Sequence, residues 1–329
     1  MGTAARSQLN AGMPASIEIW RKTLITLAPK LDETAVSLAR NNSDYERFTQ
    51  VPLGLLNHLS GGSSEGIEDT CRGYVSFCDT FYDKQVEFAR TQQYRASSYE
   101  QVNSDVYQNP EYMARVYYPA LLLSYLFSSN YFHIYRVFCE RFVPLVKDAS
   151  GQCCEIGIGH GLLSGTLLSR AAALTGYGLD ISPVAVEVTQ RVSAFFGLES
   201  PILTQVADAT QSIPLANGNH YNVMICAEVL EHLPDPAKLL CNMRSALADD
   251  GALFLTASIN MESVDHLYLF HSDEEVVRMV ENCGFEVAVR DLAFLTVASY
   301  RDNPEICRKL MVRRNPATAI LIAKKSAHR

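Results

Sequence analysis

The run Glu155-Ile156-Gly157-Ile158-Gly159-His160-Gly161 constrains this chain more than any other feature. It follows the short apolar stretch that begins at Cys153 and precedes the helical pattern Leu163–Ala173. An extended strand that must turn sharply into a helix needs residues free to take positive φ, and glycine supplies them. The helix beginning there also presents unpaired N–H groups. A strand, a glycine turn and a helix together describe the mouth of a ligand site at the edge of a parallel sheet.

The spacing separates two ligand classes. In a dinucleotide fingerprint the third glycine falls one position later, where this chain carries Leu162. An acidic residue, Glu155, also stands two positions before the first glycine. Both features disfavour a pyrophosphate on the helix and hence a nicotinamide oxidoreductase.

After residue 150, strand and helix signals alternate. Expected strands are Cys153–Gly157, Gly176–Asp180, Ile202–Ala207, Val223–Ala227, Ala252–Ser258, Phe285–Phe294 and Thr318–Lys324. Ser182-Pro183 and Asp235-Pro236 read as helix starts, and Ser272 with Glu275 reads as a capping box. The pattern predicts an α/β fold with an open, doubly wound seven-stranded sheet, strand order left open. Before that, the patterns are helical: Ile17–Ala39 (interrupted at Pro29), Tyr74–Arg90 and Glu111–Val146, with Ser60–Gly66 as a break and Ala96–Pro110 as a polar, mobile stretch.

Acidic side chains sit at successive strand ends. Asp180 closes the second strand, where a carboxylate can accept both ribose hydroxyls. Asp208-Ala209 closes the third, within reach of an adenine amine. The motifs CCEIGIGHGLLSGTLL, GLDISP, VADATQSIPL and YNVMICAEVLEHLPDP, in that order, resemble the class I S-adenosylmethionine (SAM)-dependent methyltransferases, in particular the branch similar to ubiquinone-biosynthesis O-methyltransferases. The resemblance covers roughly residues 130 to 325 and implies a Rossmann-like SAM-binding catalytic domain over 126–329. The helical residues 1–125 would then form a lid over the substrate.

Carried over motif by motif, the resemblance implies that Glu155, Gly157, Gly159 and Gly161 line the methionine and ribose of SAM. Asp180 and Ile181 would hold ribose and adenine, Asp208 and Ala209 the adenine edge, and Ala227 and Glu228 would lie beneath the sulfonium. His160 is expected to fix the glycine loop or touch the cofactor. His232 is a candidate general base, because its unperturbed pKa lies near neutrality. Glu231 would orient the loop or the substrate. On a helical turn Glu228, Glu231 and His232 would share one face. They are also the alternative to a metal-free site, with His266 or His271 completing a divalent-cation set. Of the aromatic residues between Tyr107 and Phe138, Tyr117, Tyr131 and Phe132 are the candidates to face a cation.

The resemblance implies methyl transfer from SAM to a small-molecule acceptor, releasing S-adenosylhomocysteine. Two alternatives remain at this point: a SAM cyclase of the azetidine-2-carboxylate synthase type releasing methylthioadenosine, and a SAM-binding regulator without turnover. The net charge of -8 disfavours nucleic-acid binding. Nine scattered cysteines without a C-x-x-C pair suggest a reducing, cytoplasmic setting. No apolar run is long enough for a membrane span, and residue 6 is Arg where a myristoylation signal needs Ser or Thr. The basic residues Arg301, Arg308, Lys309, Arg313 and Arg314 suggest a solvated face or a carboxylate site. Oligomeric state is left open.

Overall fold

The structure, a computed structural model, describes residues 17–29, 38–39, 41–91, 93–94, 97–295 and 316–326. The basic stretch around Arg301–Arg314 lies outside them. Seven strands form one sheet: β1 Gly151–Ile156, β2 Leu174–Asp180, β3 Leu203–Val206, β4 Tyr221–Ala227, β5 Leu247–Ile259, β6 Phe285–Phe294 and β7 Ala317–Lys325. Their order is β3-β2-β1-β4-β5-β7-β6. The first five pair in parallel, and β7 runs antiparallel between β5 and β6. The order reverses between β1 and β4, so a crevice opens at their carboxyl ends, where ligands bind in open sheets of this kind.

Helices α1 Ile17–Leu27, α2 Tyr45–Leu59, α3 Ser64–Thr91, α4 Tyr118–Phe127 and α5 Ser129–Val137 precede the sheet. The helices α6 Leu162–Leu168, α7 Val184–Phe196, α8 Pro236–Ala246 and α9 Asp273–Asn282 connect its strands. Two of the three expected caps form: Asp235 accepts from the Lys238 amide and Ser272 from the Glu275 amide, whereas α7 starts after Pro183 with no side-chain cap. Both faces of the sheet's centre are covered, and the central strand β4 accordingly carries the continuous apolar run Val223–Ala227, whereas the edge strand β3 is mostly exposed. Phe138 and Phe142 stack on Phe254 on one face. Leu239, Leu240 and Met243 of α8 and Val276 and Val280 of α9 pack against the other. Each fully buried side chain of this size is worth about 1.5–3 kcal/mol.

The N-terminal helices pack into the same core as the first face rather than standing apart from it. Trp20 is fully buried and donates its indole N–H to Asn57 at 2.9 Å, which ties α1 to α2. The described part of the polar stretch expected to be mobile, 97–110, forms helical turns. They start at Ser98, whose hydroxyl accepts from the Gln101 amide. A wider π turn, Asn103–Tyr107, falls in this stretch, and another, Met113–Tyr117, interrupts the segment expected as one or two long helices. Such turns occur often at functional sites because they displace the side chains around them, and here each ends in a buried tyrosine. Among the described residues no helix is long and apolar enough to cross a membrane.

Candidate functional site

The glycine turn adopts the backbone its sequence demands. Gly157 has φ +65, and a Cβ there would lie 2.6 Å from Val229 Cγ2. Gly159 has φ +48 and donates its N–H to Asp180 Oδ2 at 2.8 Å. The other Asp180 oxygen accepts from the Ser182 amide at 2.8 Å, so one carboxylate fastens both the turn after β1 and the turn after β2. Burial raises the Asp180 carboxyl above its ordinary pKa, against those amide bonds.

Glu155 points from β1 to the start of α6 and accepts the Ser164 amide at 3.0 Å. The residue before α6, Gly161, has no side chain to cap it, so Glu155 supplies the acceptor from a neighbouring strand. Burial raises Glu155 to about 8. His160 takes the Leu162 amide on Nδ1 at 3.3 Å, and burial lowers it to about 4, so it stays neutral and stiffens the loop. Asp208 accepts the amide and the hydroxyl of Thr210 at 2.9 and 2.6 Å.

These groups line a cleft that includes Glu155, Gly157, Gly159, His160, Asp180, Ile181, Asp208, Ala209, Ala227 and Glu228. Tyr99, Tyr107, Tyr118 and Tyr125 close it from the N-terminal side. Gly161 is a correction to the sequence reading. It does not line the cleft; it faces Thr189 and Val192 of α7, where a Cβ would sit 3.4 Å from each. What requires glycine there is its own left-handed backbone, φ +63, at the entry to α6.

A second, larger chamber of about 510 Å³ adjoins the cleft. Tyr117, Leu121, Tyr131, Glu228 and His232 line both spaces. The expected shared helical face of Glu228, Glu231 and His232 does not form, because Glu228 takes φ +55 at the end of β4 and the short 3-10 turn begins only at Leu230. A bulky residue at positive φ is strained and is held by its surroundings. Here Thr256 and Ser258 of β5 donate to the two carboxylate oxygens at 2.7 and 2.9 Å, and the Glu228 amide donates to Thr256 Oγ1 at 2.9 Å. Burial, then Glu231, raises Glu228 to about 8.

Glu231 is fully buried and lines the larger chamber alone. Burial raises it to about 7. Neither of its carboxylate oxygens has a partner in full hydrogen-bond geometry, but its own amide, then the Ser258 hydroxyl and amide, stand near enough to temper the shift.

His232 is held by a residue that sequence reasoning missed. Its Nδ1 lies 3.4 Å from Asp265 Oδ2 and 3.1 Å from the Asp265 carbonyl. Asp265 also accepts the Tyr117 hydroxyl at 2.7 Å on Oδ2 and the Ser263 hydroxyl at 2.7 Å on Oδ1, with Tyr107 at 3.5 Å. Burial pushes this carboxyl up, but His232, then His266, then the two hydroxyls more than offset that and hold it below its ordinary range. The tyrosines that end the two π turns thus converge on one carboxylate. The only sequence signal for Asp265 is an acidic residue in a loop after the fifth strand.

Of the metal alternatives, His266 rather than His271 approaches: Glu231, His232 and His266 bring ligand atoms within 4.8 Å of one another. His271 is exposed, and its amide is bound to Glu275. His266 is lowered to about 4, by burial first, and its Nδ1 lies 3.1 Å from the Met261 carbonyl. Of the three aromatic candidates, Tyr117 and Tyr131 face both spaces, and Phe132 faces neither. Phe132 is a second correction: successive helical residues point about 100° apart, and Phe132 turns into the core against the Tyr45 and Phe48 rings at 5.6 and 6.1 Å.

A family model described as a methyltransferase domain matches residues 127–288. The ubiquinone biosynthesis O-methyltransferase of Actinobacillus pleuropneumoniae serotype 5b (strain L20) is 28% identical over 127 residues, covering 38% of this chain and 53% of that protein. The enzyme of that name from Aeromonas salmonicida (strain A449) is 29% identical over 140 residues, covering 41% and 56%. The chain thus spans about half the length of these curated relatives. An O-methyltransferase family protein from Burkholderia thailandensis shares the fold at TM-score 0.52 and 14% identity, over 81% of this chain and 74% of that one. The mitomycin 7-O-methyltransferase MmcR does so at TM-score 0.50 and 16% identity, over 79% and 72%. Strand order, glycine turn and family match agree, and residues 127–288 of the chain form a domain of the class I SAM-dependent methyltransferase superfamily.

Proposed function

We propose that this protein transfers a methyl group from SAM to a hydroxyl of a small molecule. The observation that carries the reading is the junction: the glycine-lined cleft and a separate chamber meet at His232, whose Nδ1 lies 3.4 Å from Asp265 Oδ2. The cleft suits a cationic nucleoside: Gly157 leaves no room for a Cβ beside Val229, and Glu155, Asp180, Asp208 and Glu228 line it as acceptors for hydroxyls, an amine and positive charge. A chamber within the usual range for small-molecule sites beside it favours a second substrate over SAM attacking itself. In the same reading, residues 126–329 bind SAM and 1–125 cover the acceptor.

Bound SAM supplies an electrophilic methyl group on sulfur and departs as S-adenosylhomocysteine. The protein's own groups do the rest. Asp180 uses the lone pairs left by its two amide bonds to accept the ribose hydroxyls, and Asp208 accepts the adenine amine. The Tyr131 ring, packed 5.3 Å from Tyr125, faces the positive charge. With Nδ1–H directed to Asp265, His232 keeps Nε2 free to take the acceptor's hydroxyl proton as the new O–C bond forms. Asp265 then balances the imidazolium. Positioning and exclusion of water supply the remaining acceleration.

Mass spectrometry of the nucleoside products tests this. Pure protein with SAM and a panel of hydroxylated aromatic acceptors should yield S-adenosylhomocysteine only when an acceptor is present. Methylthioadenosine formed from SAM alone would overturn methyl transfer in favour of self-cyclisation. Binding of SAM without any product would leave a regulator.

A further inference from the structure

The larger chamber has a one-sided charge. Its described lining holds four carboxylates (Asp79, Glu228, Glu231 and Asp265), two imidazoles and no Lys or Arg. One of the imidazoles, His266, is buried and neutral near pH 7. The carboxylates are not equivalent. Glu228 is bonded by Thr256 and Ser258, and it also faces the nucleoside cleft. Asp265 is bonded by Tyr117 and Ser263 and paired with His232. Glu231 belongs to the acceptor side alone and is 0% exposed; neither oxygen has a partner in full hydrogen-bond geometry, its own amide and Ser258 being the donors that stand nearest. A buried acid without donors is costly unless a ligand brings them. The rest of the wall is aromatic, including Tyr74, Phe77, Phe81, Tyr82, Phe127 and Tyr131. Aromatic faces and carboxylates together favour an organic cation and reject an anion.

We propose that the acceptor is a hydroxylated amine that enters as its ammonium form, with Glu231 as the acid that receives the N–H donors and the aromatic wall enclosing the carbon body. This rests on the methyl-transfer reading above and specifies its substrate class. An acceptor bearing a carboxylate or phosphate would meet the acids with no basic residue among the described lining to receive it. Glu231 acts here as a binding group; the proton to be removed at the hydroxyl goes to His232.

The test uses the full chain saturated with S-adenosylhomocysteine and three matched phenols followed by calorimetry: tyramine, 4-ethylphenol and 3-(4-hydroxyphenyl)propionate. Tyramine should bind about tenfold or more tightly than 4-ethylphenol, as a hydrogen bond to a charged group provides, and the propionate most weakly. Glu231→Gln should erase tyramine's advantage and leave 4-ethylphenol and S-adenosylhomocysteine binding unchanged. If that variant does not fold, the ranking of the three phenols on the unmodified protein decides. Failure of S-adenosylhomocysteine to bind would sink the cofactor reading. Its binding, with the propionate equal to or better than tyramine or with no preference among the three phenols, would overturn the amine assignment alone. Stoichiometric binding of Mg²⁺ or Mn²⁺ without any phenol, lost in Glu231→Gln, would also overturn it and assign the carboxylate to a metal ion.

Discussion

Asp180→Asn isolates the carboxylate that joins the turn to the ligand. Its two oxygens accept the Gly159 and Ser182 amides, each at 2.8 Å. Asparagine keeps one acceptor and replaces the other with an NH₂. Whichever way the amide lies, one backbone N–H then faces a donor. Losing a hydrogen bond to a charged group costs about 1.5–3 kcal/mol. Removing the buried charge returns part of its desolvation cost, since burial is what raises this carboxyl. Folding stability should therefore fall by only about 1 kcal/mol, measured by urea unfolding. Affinity has no such offset, because the ribose loses a charged acceptor while the turn that positions it loosens. Calorimetry should show S-adenosylhomocysteine bound about 10- to 150-fold more weakly, the same 1.5–3 kcal/mol expressed as a ratio. An unchanged dissociation constant in a well-folded variant would refute the reasoning and remove Asp180 from the site.

Three further outcomes follow from the geometry. Asp265→Asn should lower kcat/KM for whichever hydroxyl acceptor is methylated by about 10- to 150-fold, the loss of a charged partner to His232, while S-adenosylhomocysteine binding is preserved. Wild-type kinetics in that variant would dismiss the His232–Asp265 pair. Phe132→Ala should cost about 3–5 kcal/mol of stability as a core cavity; a large kinetic defect without that loss would return Phe132 to the site. Ligand-free protein should lose melting temperature between pH 6.5 and 8. Glu155 and Glu228, raised to about 8 when folded, hold protons there that the unfolded chain has released. His160 and His266, lowered to about 4, are neutral when folded, so only their unfolded imidazoles, ordinarily at 6.5, still lose protons at the low end of the window, an opposite and smaller effect. Glu228→Gln should flatten the slope, and a melting temperature that rises with pH would contradict the burial assigned to these acids.

Much of the sheet could be read from the chain because its signals are local. A glycine turn with a carboxylate two residues before it, and acids at the ends of β2 and β3, constrain the backbone within a few residues of themselves. Ten of the eleven residues expected around the nucleoside line the cleft. Gly161 does not, because its need for glycine comes from its own positive φ at the entry to α6, which one sequence cannot separate from ligand approach. The position of β7 between β5 and β6 depends on pairing across the whole sheet and carries no local mark. Helical spacing misjudged the Glu228–His232 segment because Glu228 adopts a strained φ that only the Thr256 and Ser258 hydroxyls, almost thirty residues on, make tolerable. Asp265 was invisible for the same reason. Its importance arises from Tyr107, Tyr117 and His232 meeting in space across some 150 residues of chain.

The most direct measurement is a crystal structure of the full chain with S-adenosylhomocysteine. The account predicts ribose hydroxyls on Asp180, adenine beside Asp208, and sulfur at the opening between Tyr131 and His232, facing the larger chamber. Density for the nucleoside elsewhere, or sulfur turned away from that opening, would contradict it.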